Sequence, residues 1–551
     1  MNTRLFTKPL LKLLLTGLLL LHFSHPVLAS IEFTTTFDST YQVLESGLTN
    51  VEHQIQIKNN LSHIYTTQYS IAIGENNLTN IRVKSNDHNA PTKIVASDTT
   101  TTLTITIPNP VVGKDQITKL NISYTSQNIA EHTGKIWELN IPKLAKANEA
   151  ESYSRTISYP QSLGLPSVAF PLAKQILNPD NNGGISLIYQ GFPTDSITLL
   201  FGSSQLYDLS LKYLINNPTH NLVKTEIALP PDTAYQLVTL DSLSPPPEKI
   251  KLDADQNWLA IYPLEGGESL SIEAHVYIEL YPQPHFQFST SVPDELTDPQ
   301  TYWETNNETI RSLAGKLKTP ENIYNYLLDN YSYNYGRVGV GSERLGALQA
   351  LSSPNLALCT EFTDTFIALA RAMGIPAREI NGYANTTNDS LRPLELATDV
   401  LHAWPEYYDA PTSHWLQIDP TWGKTTGGID YFSKMDFNHL TFVRHGQESV
   451  YPYPAGAYKP DSREKTVSVT FTDQLPNPVE SYKLTTIENI TTITNTGNVA
   501  LHDYSITLKD GSSYLVAYLP PFGREIIPPP TPSKLSLFSR FLNWLTNLFA
   551  R

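Results

Sequence analysis

The chain has 551 residues, too many for one hydrophobic core, since single cores rarely grow past about 250–300 residues, so several domains are expected. Hydrophobic residues at 40% and charged residues at 17% exclude wholesale disorder. The net charge of −15 is spread along the sequence without a long Lys/Arg run, which excludes nucleic acid as the expected partner.

Met1-Asn2-Thr3-Arg4, with Lys8 and Lys12, leads into the apolar stretch Leu13 to Leu21, and Val27-Leu28-Ala29 offers small residues for a signal peptidase. Residues 1–29 are therefore expected to be a signal peptide. An uncleaved anchor is the alternative, although the apolar stretch is short beside the roughly 20 residues of a membrane span. An exported, secreted or cell-surface protein normally carries paired cysteines, yet this chain has one, so disulfides cannot hold it together. Asn-X-Ser/Thr matches at Asn60, Asn77, Asn121, Asn307, Asn330, Asn385, Asn388 and Asn489 are glycosylation acceptors or the chance product of an Asn- and Thr-rich sequence.

Period-two alternation dominates next, as in His53-Gln54-Ile55-Gln56-Ile57 and Leu103-Thr104-Ile105-Thr106-Ile107. Such runs between Asn, Asp, Gly and Pro clusters predict antiparallel strands. A β-sandwich-like domain is expected at 30–145 and a β-rich domain at 146–290. Asp253-Ala254-Asp255-Gln256-Asn257 matches half of a calcium loop, but Trp258 and Leu264 stand where that loop needs Gly and Glu, so it predicts a turn.

Helical signals begin in the segment 291–453. Thr319-Pro320-Glu321 combines a capping hydroxyl, a proline for the first turn and an acid near the helix dipole. Cys359 precedes Phe362, Phe366, Leu369 and Met373 on one helical face, closed by Gly374 and Pro376. A helix N-terminus favours thiolate, with Glu361 and Asp364 expected to oppose that effect. His402-Ala403-Trp404 and Trp415-Leu416-Gln417-Ile418-Asp419 alternate, and two strands joined through Asp409 to Ser413 are expected to set His402 beside Asp419. A thiol, an imidazole and a carboxylate are the minimum set for activating a cysteine and orienting its base. Each alone has a plainer reading as a buried structural residue. Trp404, Trp415 and Trp422 line an acyl-donor groove or simply pack, and neither His414 nor His439 has partners at metal-ligand spacing, so neither a metal nor a cofactor is expected.

A β pattern returns at 464–526, predicting a small C-terminal β-sandwich, followed by a Pro-rich linker at 527–532. In 533–551, Leu535, Phe538, Phe541, Leu542, Leu545 and Leu548 recur at helical spacing. That amphipathic helix is expected to lie at a membrane surface or to dock on protein.

Cys359 before its helix, Arg371-Ala372-Met373-Gly374-Ile375-Pro376-Ala377-Arg378, His402-Ala403-Trp404 and Asp419-Pro420-Thr421 together resemble the transglutaminase-like superfamily, of papain-like fold. The resemblance implies a multidomain α+β protein with a papain-like transglutaminase core. It assigns Cys359 as nucleophile, His402 as base and Asp419 as orienter, acting on amide or peptide bonds of a protein substrate through a thioester acyl-enzyme. Arg378, within the motif, is expected to be structural. Many members carry glycine shortly before the cysteine, where this chain has Leu356-Ala357-Leu358. The backbone N–H of Cys359 is one oxyanion donor, and Tyr335 or Gln349 is a second only if the fold sets it within about 3 Å. A non-catalytic adhesin or scaffold with a degenerate core is the other class of function, which retention of all three polar residues argues against.

Overall fold

The computed structural model describes residues 32–528, apart from 76, 98–99, 143, 145–149, 178–183, 192–195, 287–293, 339–341, 385–400, 426–429, 459–463, 489 and 509–510. The expected leader and the 533–551 helix lie outside the described residues, as do Asn385, Asn388 and Asn489. Among the described residues no helix is long and apolar enough to cross a membrane.

Alternation builds the N-terminal region. In Thr49–Asn59 every second residue is buried, which sets Val51, His53, Ile55 and Ile57 on the core face of an eight-stranded sheet. That sheet crosses the division expected at 145/146, because Phe33–Val43 pairs antiparallel with Thr49–Asn59 on one edge and parallel with Ser152–Pro160 on the other. One core runs accordingly from Phe37 to Phe201. Alternation reveals a strand and its buried face, not its neighbour, which is why it misplaces the boundary.

Two further sheets follow, of four and three strands. Gln205–Asn216 and Ser269–Leu280 pair over their full lengths, with Gln236–Ser244 on one side. The fourth strand of this sheet is Val467–Phe471, which falls within the expected C-terminal sandwich but pairs with Tyr207 to Leu211 instead. The Asp253 turn forms as expected. Its Asp253 carboxylate accepts the N–H groups of Asp255 and Asn257, while Asp255 accepts those of Gly446 and Gln447, which docks the turn on the next region.

Between these strands of one sheet lies the mixed segment. Thr319 caps the helix Pro320–Asn330 by accepting the N–H of Asn322. The helix Cys359–Ala372 is buried on nearly every side and packs against a four-stranded sheet ordered His414–Gln417, Leu401–Asp409, Ala377–Ala384, His439–His445. A small C-terminal unit with its own core, including Ile493, Leu501, Ile506 and Val516, completes the described chain.

Candidate active site

Cys359 opens its helix and remains partly exposed, whereas the body of that helix from Glu361 to Arg371 is buried. Phe362, Phe366 and Leu369 anchor it in the core, and Gly374 at φ +77 allows the tight exit that returns the chain to the sheet. The two acids near the thiol are both engaged. Glu361 accepts the N–H groups of Leu358 at 2.7 Å and Leu345 at 2.9 Å and lies 3.5 Å from Arg337. Asp364 accepts from Arg344 and from the indole of Trp303. Both carboxylates thereby hold the helix start and the segment before it in place.

His402 is 1% exposed on the strand Leu401–Asp409, opposite Gly382 of the central strand. A Cβ at Gly382 would meet the Leu440 carbonyl oxygen at 2.0 Å, so glycine permits the close approach of the neighbouring strands there. The Nε2 of His402 lies 2.8 Å from Asp419 Oδ2. Its Nδ1 is buried and has no partner of hydrogen-bond geometry, yet Cys359 is close enough to act on the charge of the ring. Burial alone would push the His402 pKa down. The charge and hydrogen bond of Asp419, with a contribution from Cys359, outweigh it and lift it to about 9.

Asp419 does not reach His402 by the expected strand pairing. The strand His414–Gln417 ends before it, and the register Glu406↔Gln417, continued, would bring Asp419 opposite Trp404. Asp419 instead begins the helix Pro420–Thr425: Oδ1 accepts the N–H groups of Thr421 and Trp422, which aims Oδ2 at the imidazole. Burial would raise its pKa, but His402 and then His439 hold the carboxyl well below the usual carboxylate range.

Sequence reasoning missed two residues. His439, on the far side of the central strand, places Nε2 3.1 Å from Asp419 Oδ2 and Nδ1 2.7 Å from Asp436 Oδ1. The available signal was the Asp436-X-X-His439 pair itself, which fixes a ring through its own backbone segment. His402, Asp419 and His439 also bring one ligand atom each within 4.8 Å of one another, a set able to hold a metal only if it displaced the ring protons that now bridge to Asp419. The second is Tyr333, whose phenol burial above all, and then the charge of Cys359, holds protonated. Tyr335, named from the sequence, is 47% exposed and stacks edge-on to Tyr333, and Gln349 is exposed.

The tryptophans divide. Trp404 and Trp422 are buried against His402 and His439, and Trp404 donates to Gln417. Trp415 covers the guanidinium of Arg378 at 4.1 Å, and Arg378 pairs with Glu406 rather than with the thiol or imidazole.

Residues 304–420 match the family model of the transglutaminase-like superfamily. Among solved structures, a candidate cysteine protease of Cytophaga hutchinsonii aligns at 16% identity over 49% of this chain and 99% of its own, with a TM-score of 0.29. The periplasmic domain of TgpA from Pseudomonas aeruginosa aligns at 16% identity over 40% of this chain and 91% of its own, with a TM-score of 0.23. An M1 zinc metallopeptidase of Deinococcus radiodurans aligns at 9% identity over 35% of this chain, which spans 45% of that protein, with a TM-score of 0.22. Structural likenesses this weak carry no argument about chemistry. No curated protein matches the sequence.

Proposed function

Starting from a chain that carries a transglutaminase-like core at 304–420, we propose that it is an exported cysteine enzyme acting on amide or peptide bonds of a protein substrate. The single observation behind this reading is the asymmetry of His402. One ring nitrogen donates to a buried carboxylate, while the other is buried, bonded to no other side chain and left for Cys359, the one thiol of the chain, which acts on the charge of the ring.

The chemistry follows from that asymmetry. Asp419 keeps a proton on Nε2, so it is through Nδ1 that the ring takes the Cys359 proton, and the charged ring that results is the form its raised pKa favours. The sulfur attacks the carbonyl carbon, the oxygen becomes an oxyanion, and the backbone N–H of Cys359 at the helix start donates to it. Tyr333, whose backbone bridges to Ala357 two residues before Cys359 and whose phenol burial keeps protonated, is the side-chain donor we favour. Collapse of the oxyanion breaks the carbon–nitrogen bond, and His402 returns its proton to the departing amine. The thioester left on Cys359 is resolved by water, giving hydrolysis, or by a second amine, giving acyl transfer.

Incubating the purified protein with a labelled primary amine and a mixed protein substrate separates the two outcomes. Label incorporated into protein identifies acyl transfer, and new N-termini identify hydrolysis, the outcome we expect. Cys359→Ala should abolish both while remaining folded, since it removes one sulfur from a partly exposed position. Turnover that survives this change would overturn the mechanism, and inertness of the unmodified protein toward a thiol-directed acylating probe would favour an adhesin or scaffold.

A further inference from the structure

His439 lies outside the family-matched segment and off the path from Cys359 to Asp419. Its surroundings nevertheless dictate its charge from geometry. Each ring nitrogen faces an oxygen of a carboxylate, Asp419 on one side and Asp436 on the other. Ionised carboxylates only accept hydrogen bonds, so both nitrogens must donate, and a ring that donates twice is an imidazolium. Burial would push its pKa down, but Asp436 and Asp419 outweigh it and lift it to about 9.

The other groups facing the ring are the Trp404, Trp422 and Tyr431 side chains and His402, whose ring centroid is 5.8 Å away. Behind Asp436 stand Lys434 and, from the N-terminal sheets, Glu138; burial lowers the pKa of the first and raises that of the second. The segment that carries Asp436 and His439 is itself pinned. Phe437 packs among Ile136, Val168 and Leu200 of the N-terminal region, and its carbonyl accepts the Tyr207 hydroxyl at 2.6 Å.

We propose that His439 is a positioning residue for the cysteine chemistry: a second imidazolium that grips Asp419 Oδ2 opposite His402, extends the triad to Asp436, and ties its alignment to the N-terminal β region. The inference rests on the Cys359–His402–Asp419 reading above. Two positive rings on one carboxylate oxygen keep Asp419 ionised and fixed, and temper how tightly it holds the His402 proton. The base is thereby set between too weak to accept the thiol proton and too strong to return it.

The lone cysteine supplies a readout that needs no substrate. The test is the rate of Cys359 alkylation by iodoacetamide against pH, followed by mass on the full chain, for the unmodified protein and for His439→Gln. The glutamine amide preserves one hydrogen bond to Asp419 and carries no positive charge. Taking away a buried cation raises the pH at which every neighbouring group loses its proton, so the whole profile should move up by about 0.5–1 unit, with a roughly three- to tenfold lower rate at pH 7. A merely structural role would lower the rate without moving the profile along the pH axis, and that result, or a superimposable profile, overturns the proposal. Should His439→Gln fail to fold, Asp436→Asn leaves the ring in place and withdraws one of its anions. An added inflection between about pH 6 and 8, where the ring would then titrate, is expected, and its absence overturns the proposal. A free-thiol profile in the unmodified protein, indifferent to Asp419→Asn, would sink the triad reading itself rather than this extension of it.

Discussion

Two histidines of this chain are equally buried and behave in opposite ways. His53, in the eight-stranded sheet, sits between the hydroxyls of Ser39 and Tyr124, at 2.7 and 3.1 Å, and burial pushes its pKa down to about 4. His402, walled by Trp404 and Trp422, meets a carboxylate and is pushed up to about 9 despite the same desolvation. Hydroxyls can donate or accept and so satisfy a neutral ring, whereas an ionised carboxylate demands a donor and stabilises the cation. Burial alone makes a histidine neutral and inert. A carboxylate partner turns it into a proton carrier.

The largest break in this comparison is Asp419→Asn. The asparagine carbonyl can still accept the N–H groups of Thr421 and Trp422, so folding should persist, but its amide no longer compels a proton on Nε2. The wrong tautomer then faces Cys359, and turnover should fall by roughly 10³–10⁴-fold. In the unmodified protein the rate should decline above about pH 9, as His402 loses the proton it must return to the amine, and in the variant that limb should move toward the ordinary histidine range. An undiminished rate in the variant would remove Asp419 from the mechanism.

A smaller effect comes from the neutral partner of the pair. Because the folded pKa of His53 lies below its unfolded value, unfolded chains bind the proton first as pH falls. The stabilisation is complete above about 6.5 and is lost as pH drops toward 4, about 3 kcal/mol in all. Calorimetry of the transition of the N-terminal region should show that loss between pH 7 and 4, and His53→Gln, which offers the same two hydrogen bonds without titrating, should flatten it. Equal pH slopes in both proteins would refute the assignment.

The smallest effect sharpens the comparison from within the catalytic region. Arg378 is also a nearly buried charge, yet it touches Glu406 and Trp415, not the reacting groups. Arg378→Lys should cost about 1 kcal/mol in stability, through lost stacking and planar hydrogen bonding, and leave kcat unchanged. A large loss of kcat at full folding would move Arg378 into the chemistry.

The order of Cys359, His402 and Asp419 is legible in the sequence because each carries a local pattern, a helix start for the first and alternating runs for the other two, and because the three segments together match one family's motifs. The path by which Asp419 arrives is not. Alternation from Trp415 suggests that the strand carries it, whereas Pro420 starts a helix and Asp419 becomes its cap. His439 escapes notice because its strand joins the sheet on the side of Ala377–Ala384 away from His402, a neighbour relation that no local pattern encodes. The same blindness explains the sheet that crosses residue 145 and the strand Val467–Phe471: their alternation is visible and their partners are not.

That last strand bears on how the chain can be cut. Among the described residues, the stretch of Gln205–Asn216 that Val467–Phe471 covers has no other cover in its sheet, so a fragment ending at 453, after the mixed segment, would bare the backbone groups of Tyr207 to Leu211. A bare edge in a well-formed sheet recruits strands from other molecules. Recombinant fragments that stop there should gather into insoluble material through this edge, and the shortest serviceable piece containing the thiol must run past Phe471. During synthesis the same edge waits for about 190 further residues after Leu280, some 10–40 s at ribosomal rates of roughly 5–20 residues per second, so the middle sheet is among the last parts of the molecule to be sealed.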